Sequence, residues 1–201
     1  MSGELRHGCL DDRSVHLCID MQCLFAAPTD WQVPWMQRVL PTVLRIARAK
    51  SAHTIFTRFV PPSTPDQATG AWRRYYERWQ NMTRANLDPR LIELLPPLAA
   101  LVPPAVVLDK PFYSPFASSH LHEMLQVRGT DTLVITGGET DVCVLAAVMD
   151  AVDAGYRVVL GSDAVCSVSD HAHDALLRLF QERFSQQIEV APADAILAHW
   201  E

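Results

Sequence analysis

The chain has 201 residues, 49% of them apolar and 20% charged, with a formal net charge of -6. That is enough chain for one sizeable core, and the acidic balance argues against a general nucleic-acid surface. No apolar run approaches the roughly 20 residues that span a bilayer, and the polar start lacks the apolar centre of a signal peptide, so a cytoplasmic protein without a membrane segment is expected.

In chain order, apolar runs of strand length alternate with longer helical patterns. SVHLCID (14–20) reads as a first strand. PWMQRVLPTVLRIARAK (34–50) carries apolar residues near helical spacing, and Pro41 inside it should kink the helix or begin its main part. HTIFTRFV (53–60) is a second strand, ended by PPSTP. AVVLDK (105–110), DTLVITG (131–137), YRVVLGSDAV (156–165) and QIEVA (187–191) are the third to sixth. Helical patterns cover 118–129, 143–155 and 169–187, and Gly129 and Gly155 fall where helices end before strands. Several strands are continuous apolar runs, as expected of a parallel sheet covered on both faces. The expected fold is a single doubly wound α/β domain over 1–201.

Residues 61–104 break the alternation and read as an insertion or lid-like helical region. In GAWRRYYERW (70–79), Trp72, Tyr75, Tyr76 and Trp79 recur at helical spacing with arginines between them. That face would pack on the body or on a second subunit, or it would cover a substrate pocket.

Ligands of open α/β sheets bind beyond the carboxyl ends of the strands. The first strand ends in Asp20, the third in Lys110, and the fourth runs through TGGETDVCV (136–144) to Cys143 at a helix start. A thiol gains nucleophilicity from a nearby cation and a helix N-terminus. Thr140 or Asp141 could cap that helix. Asp20 could take the thiol proton, Lys110 could balance charge, and N–H groups of the Gly-rich turn could stabilise an oxyanion. Singly, each residue has a plainer explanation as a cap, a solvated charge or a small buried side chain. Their joint placement singles them out.

The five cysteines (Cys9, Cys18, Cys23, Cys143, Cys166) form no C-x-x-C pair, so reduced thiols are expected. His120 and His122, like His171 and His173, are two apart in helical patterns and do not face each other. No metal site and no cofactor are expected. GGET also lacks the G-x-G-x-x-G spacing of a dinucleotide site.

CIDMQ, DKPFYSPF, TGGETDVCV and DAVDAGYRVVLGSDAVCS together resemble, in order and spacing, the isochorismatase-like superfamily of cysteine hydrolases, over residues 15–188. The resemblance implies a six-stranded parallel sheet of order 3-2-1-4-5-6 and a triad of Asp20, Lys110 and Cys143. It also implies a cis peptide at Gly138–Glu139, an oxyanion hole from the N–H groups of Glu139 and Cys143, and assembly into a homo-oligomer. The Gly-Glu pair departs from the aliphatic-then-small pattern of relatives, and the Glu139 side chain could reach the pocket or cap a neighbouring loop. TRFVPPSTPDQ (57–67) lacks the histidine cluster of zinc-dependent nicotinamidases. Cys143 favours C–N hydrolysis of a small amide, ureide or carbamoyl compound through a thioester over the vinyl-ether reaction. A binding or redox-sensing protein using Cys143 is the other reading. The substrate pocket is expected from Phe25, Arg58, Phe112, Tyr113 and Phe116, which lie close in sequence to the proposed rim.

Overall fold

The computed structural model describes residues 5–117 and 120–201. Six strands form one sheet: β1 (Ser14–Ile19), β2 (Thr54–Phe59), β3 (Val106–Lys110), β4 (Thr132–Gly138), β5 (Arg157–Cys166) and β6 (Ile188–Ala191). Their order is β3-β2-β1-β4-β5-β6, with every neighbouring pair parallel. The order reverses between β1 and β4, so the crevice beyond their carboxyl ends is the natural ligand position. Each strand begins and ends within a residue of its apolar run in the sequence.

The helices are α1 (Cys23–Ala26), α2 (Met36–Ala49), α3 (Gly70–Arg78), α4 (Pro96–Ala99), α5 (Leu121–Val127), α6 (Leu145–Asp153), α7 (Asp170–Arg183) and α8 (Ala193–Ala198). Strand side chains alternate between two cores. Val15, Leu17 and Ile19 point to one that holds Leu121, Val148 and Phe180 of α5, α6 and α7. Cys18 and Phe56 point to the other, with Val43 and Ile46 of α2 and Ile196 of α8. Both faces are dry, which is why the strands read as continuous apolar runs.

α2 runs unbroken through Pro41. The missing N–H costs one helical bond, and burial of Val39, Val43 and Ile46 on the same helix outweighs it. α5 begins at Leu121; the start expected for it at Ser118 and Ser119 lies outside the described residues. Gly129 and Gly155 follow α5 and α6 with positive φ, and their flanking N–H groups close Schellman-type bonds to the helix carbonyls.

Residues 61–104 contain α3, α4 and three short 3-10 turns. The segment is stitched to the sheet's carboxyl edge: Cys23 N–H donates to the Glu93 carbonyl at 2.9 Å and Leu95 N–H to the Met21 carbonyl at 3.0 Å. Buried Gln22 completes the seam by donating to the carbonyls of Phe59 and Ile92 and accepting from the Phe59 N–H. α3 lays its aromatic face on the body, with Trp72 against Phe59, Phe112 and Tyr113.

Candidate active site

Asp20 leaves β1 with φ 50°, in the left-handed region that aspartate tolerates better than most residues. The turn aims its carboxylate back under the sheet edge. Thr57 on the adjacent strand holds it twice: the hydroxyl donates to Asp20 Oδ1 at 2.6 Å and accepts from the Asp20 N–H at 3.1 Å. Lys110, the last residue of β3, reaches across β2 to place Nζ 2.6 Å from Asp20 Oδ2. Nζ also donates to the carbonyls of Phe112 at 3.0 Å and Tyr113 at 2.8 Å, and stands 5.2 Å from the centre of the Phe59 ring. The side chains of Lys110 and Asp20 are 0% and 1% exposed, so the pair is compensated internally or not at all.

Cys143 arrives from β4 through a backbone the sequence permits in few other ways. Gly137 has φ 106°, and a Cβ there would lie 2.0 Å from the Ile19 carbonyl oxygen, so only glycine lets β4 approach β1 at this point. The Gly138–Glu139 peptide is cis. The chain then enters a π-type turn, Thr140–Val144, ahead of α6. Neither Thr140 nor Asp141 caps this helix start, which corrects the sequence expectation. Thr140 Oγ1 donates to the Cys166 carbonyl and meets His173 Nδ1 at 2.9 Å, while Asp141 accepts from Ser167 Oγ at 2.6 Å. Both side chains thereby fasten the turn to the segment after β5. The Glu139 carbonyl takes the N–H groups of Val142 and Val144.

Cys143 is buried, and Asp20 and Lys110 both act electrostatically on its thiol. Burial pushes its pKa well above the usual thiol range; Lys110 pulls it down and Asp20 pushes it up. For Lys110, burial acts downward, but Asp20 and Cys143 outweigh it and leave the ammonium more basic than usual. Burial thus favours the protonated thiol beside the Asp20–Lys110 pair.

Above Cys143 lies a cavity of about 240 Å³. Phe25, Trp31, Phe59, Tyr75 and Tyr113 supply its aromatic lining, and Asp30, Gln32 and Glu139 its polar groups. Glu139 both lines the cavity and holds the neighbouring loop, its Oε2 accepting from the Val168 N–H at 3.1 Å. Burial raises its pKa, the Val168 N–H lowers it and Asp141 raises it.

Of the residues expected around the substrate, Phe25 and Tyr113 border this cavity; Arg58, Phe112 and Phe116 do not. Arg58 is closed off by a two-pronged ion pair to Asp109, at 2.7 and 2.9 Å, and by Glu93 at 2.7 Å. Phe112 borders a separate cavity of about 420 Å³ with Trp72 and Tyr76. Phe116 packs on Tyr156, ring centres 6.1 Å apart. Sequence reasoning did not single out Thr57 or Trp31 as parts of this site, and it offered Tyr75 as part of an aromatic helix face that could cover a pocket. Thr57 was findable, since it stands on the strand beside Asp20; Trp31 lies in a connection without a strand register. Among the described residues no group of three or more His, Cys, Asp or Glu side chains is placed to hold a metal ion. His120 pairs with Glu123, and His122 meets Gln126 and Tyr156.

Residues 14–192 match the family model described as isochorismatase domain. The chain is similar to a maleamate amidohydrolase of Pseudomonas putida, 27% identical over 159 residues, which are 78% of this chain and 72% of that one. It is also similar to a ureidoacrylate amidohydrolase of Methylorubrum extorquens, 32% identical over 118 residues, 58% of this chain and only 46% of that one. Among solved structures, a cysteine hydrolase from Pseudomonas syringae superposes with a TM-score of 0.77 at 24% identity, covering 94% of this chain and 92% of that one.

Proposed function

The chain belongs to the isochorismatase domain family, and from that premise we propose that it is a cysteine-dependent amidohydrolase acting on a small C–N substrate through a thioester. The observation that carries the reading is that Asp20, Lys110 and Cys143 come together from three separate segments, with Cys143 lining an aromatic cavity. The names of the similar amidohydrolases agree with it.

In this reading Asp20 removes the Cys143 proton as Sγ attacks the carbonyl carbon. Lys110 is paired with the carboxylate beforehand and balances charge while the thiolate forms. The N–H groups of Glu139 and Cys143 stabilise the tetrahedral oxyanion. The intermediate collapses, the C–N bond breaks, and Asp20 passes its proton to the departing ammonia or amine. Water then gives a proton to Asp20 and attacks the thioester. The acid departs, and Cys143 Sγ recovers its proton from Asp20.

Ammonia release over a panel of small amides, ureides and carbamoyl compounds tests the reading. Cys143→Ala is expected to abolish any release the unaltered protein shows. Full activity in that variant would overturn the mechanism.

A further inference from the structure

The cavity over Cys143 carries a charge pattern that bears on what enters it. Besides the Cys143 thiol, its ionisable lining groups are acidic or aromatic: Asp30 and Glu139, with the Tyr75 and Tyr113 hydroxyls. Among the described residues that line it, none is Lys, Arg or His. Arg58, the one cation among the residues expected around the substrate, is occupied by Asp109 and Glu93. The Lys110 ammonium is committed to Asp20 and two carbonyls.

The aromatic walls are held in place by one another. Trp31 stacks on Phe25 at 6.4 Å and 17°, and meets Phe59 at 5.9 Å and Tyr75 at 5.7 Å. Glu139 is fixed among them by the Val168 N–H. A carboxylate entering this space would lose its water, face π clouds and two acids, and find no cation to pair with. An ammonium group would lie among several aromatic rings together with a carboxylate, the combination that binds alkylated amines.

Taking the cavity as the substrate site of the reading above, we propose that it selects small amides bearing a cationic, alkylated ammonium group and rejects carboxylates, with Glu139 as the specificity-determining residue. The relatives named for maleamate and ureidoacrylate act on carboxylates, so the chain would share their chemistry and not their charge preference. At about 240 Å³ the cavity falls below the usual range of drug-sized pockets, which keeps the substrate small.

Three amides of similar size separate charge from shape: betaine amide, its uncharged isostere 3,3-dimethylbutanamide, and succinamate. Calorimetric titration into the Cys143→Ala protein measures binding without turnover. Betaine amide is expected to bind at least tenfold more tightly than the isostere, with succinamate weakest. Adding Glu139→Gln should cut that ratio about fivefold, and adding Trp31→Leu should lower it independently. Equal binding of betaine amide and isostere, tightest binding of succinamate, or no binding of betaine amide would overturn the proposal. Ammonia release by the unaltered protein reports on the hydrolase reading separately. Cation-selective binding with no release from any amide would sink that reading alone, and efficient release confined to succinamate would sink the specificity alone.

Discussion

Lys110 Nζ lies 2.6 Å from Asp20 Oδ2 with both side chains shut away from solvent. Removing one partner of such a pair strands the other charge and typically costs about 3–5 kcal/mol, whereas neutralising both costs far less. Lys110→Met and Asp20→Asn should each lower the urea midpoint substantially. The double variant should recover much of that loss, giving a strong coupling in a double-mutant cycle. Turnover should stay far below that of the unaltered protein in all three. Additive losses in the double variant would show that the pair is not coupled.

The thiol offers a second test, because its two neighbours act on it in opposite directions. Burial and Asp20 hold the Cys143 proton on, while Lys110 favours its loss. Iodoacetamide should therefore label Cys143 more slowly at pH 7 than the exposed Cys9, with a rate still rising above pH 9. Asp20→Asn should speed labelling yet lower turnover by about 10²–10⁴-fold, since the general base is gone. Lys110→Met should slow both. Peptide mapping of the labelled cysteines reads each rate. Rapid labelling of unaltered Cys143 at pH 7, with no hydrolysis of any amide, would point instead to a binding or redox-sensing role.

These groups were legible in the sequence because a parallel sheet fixes where strand ends go. Asp20 and Lys110 stand at or next to the ends of apolar runs, and Cys143 stands shortly after one. The pocket was less legible, since nearness in sequence to a strand end does not fix which way a side chain turns. Arg58 pairs in register with Asp109 across β2 and β3, and the ion pair follows from that register. Phe112 turns to the far side of α3's aromatic face, while Tyr113, one residue on, turns to the cavity. Trp31 enters from a connection, and Tyr75 from a helix, whose placement over the site is set by tertiary packing. The π-type turn at Thr140–Val144 was hidden for a similar reason: Thr140 and Asp141 look like helix caps until Cys166 and Ser167 draw their side chains away.

Arg58 gives a prediction that follows from its being spoken for. Its guanidinium is about one-fifth exposed and its two acidic partners more than half exposed, so solvent screens the network. Arg58→Ala should cost about 1 kcal/mol in urea denaturation. KM for acidic and neutral amides should shift by the same factor. A rise confined to acidic amides would mean that Arg58 reaches the substrate after all.

Gly137 carries a steric prediction. Its φ of 106° costs an L-residue about 1–2 kcal/mol, and the Cβ of alanine would also collide with the Ile19 backbone. Gly155 shares a positive φ, 88°, but nothing lies within 4 Å of the added atom. Gly155→Ala should lower stability by the conformational cost alone. Gly137→Ala should fall well below it in soluble yield and urea midpoint, because β1 and β4 must separate at the site's edge. Equal effects would show that the strands adjust without penalty.

His16 makes the fold acid-sensitive in a window that can be assigned. It sits fully buried in the centre of the sheet, Nδ1 3.2 Å from Thr54 Oγ1 and Nε2 2.8 Å from Thr136 Oγ1, linking β1 to both neighbours. Burial lowers its pKa from 6.5 to about 3. The unfolded chain thus takes up a proton below pH 6.5 that the folded chain refuses until about pH 3. More protons bound in the unfolded state means that stability falls as pH falls, by about 1.4 kcal/mol per pH unit once the unfolded histidine is charged. The contribution is fully present above pH 6.5 and is lost progressively towards pH 3. Most carboxylates stay ionised above pH 4.5, and Glu139, whose pKa burial raises, is common to the unaltered protein and a His16 variant, so the difference in slope from pH 6.5 to 4.5 isolates the histidine. His16→Gln keeps a polar group between the two threonines and cannot titrate there. Urea denaturation across that interval should give the variant a slope shallower by about one proton, even if it starts from a lower stability at pH 8. Parallel slopes for the two proteins would mean that His16 does not set the acid limb.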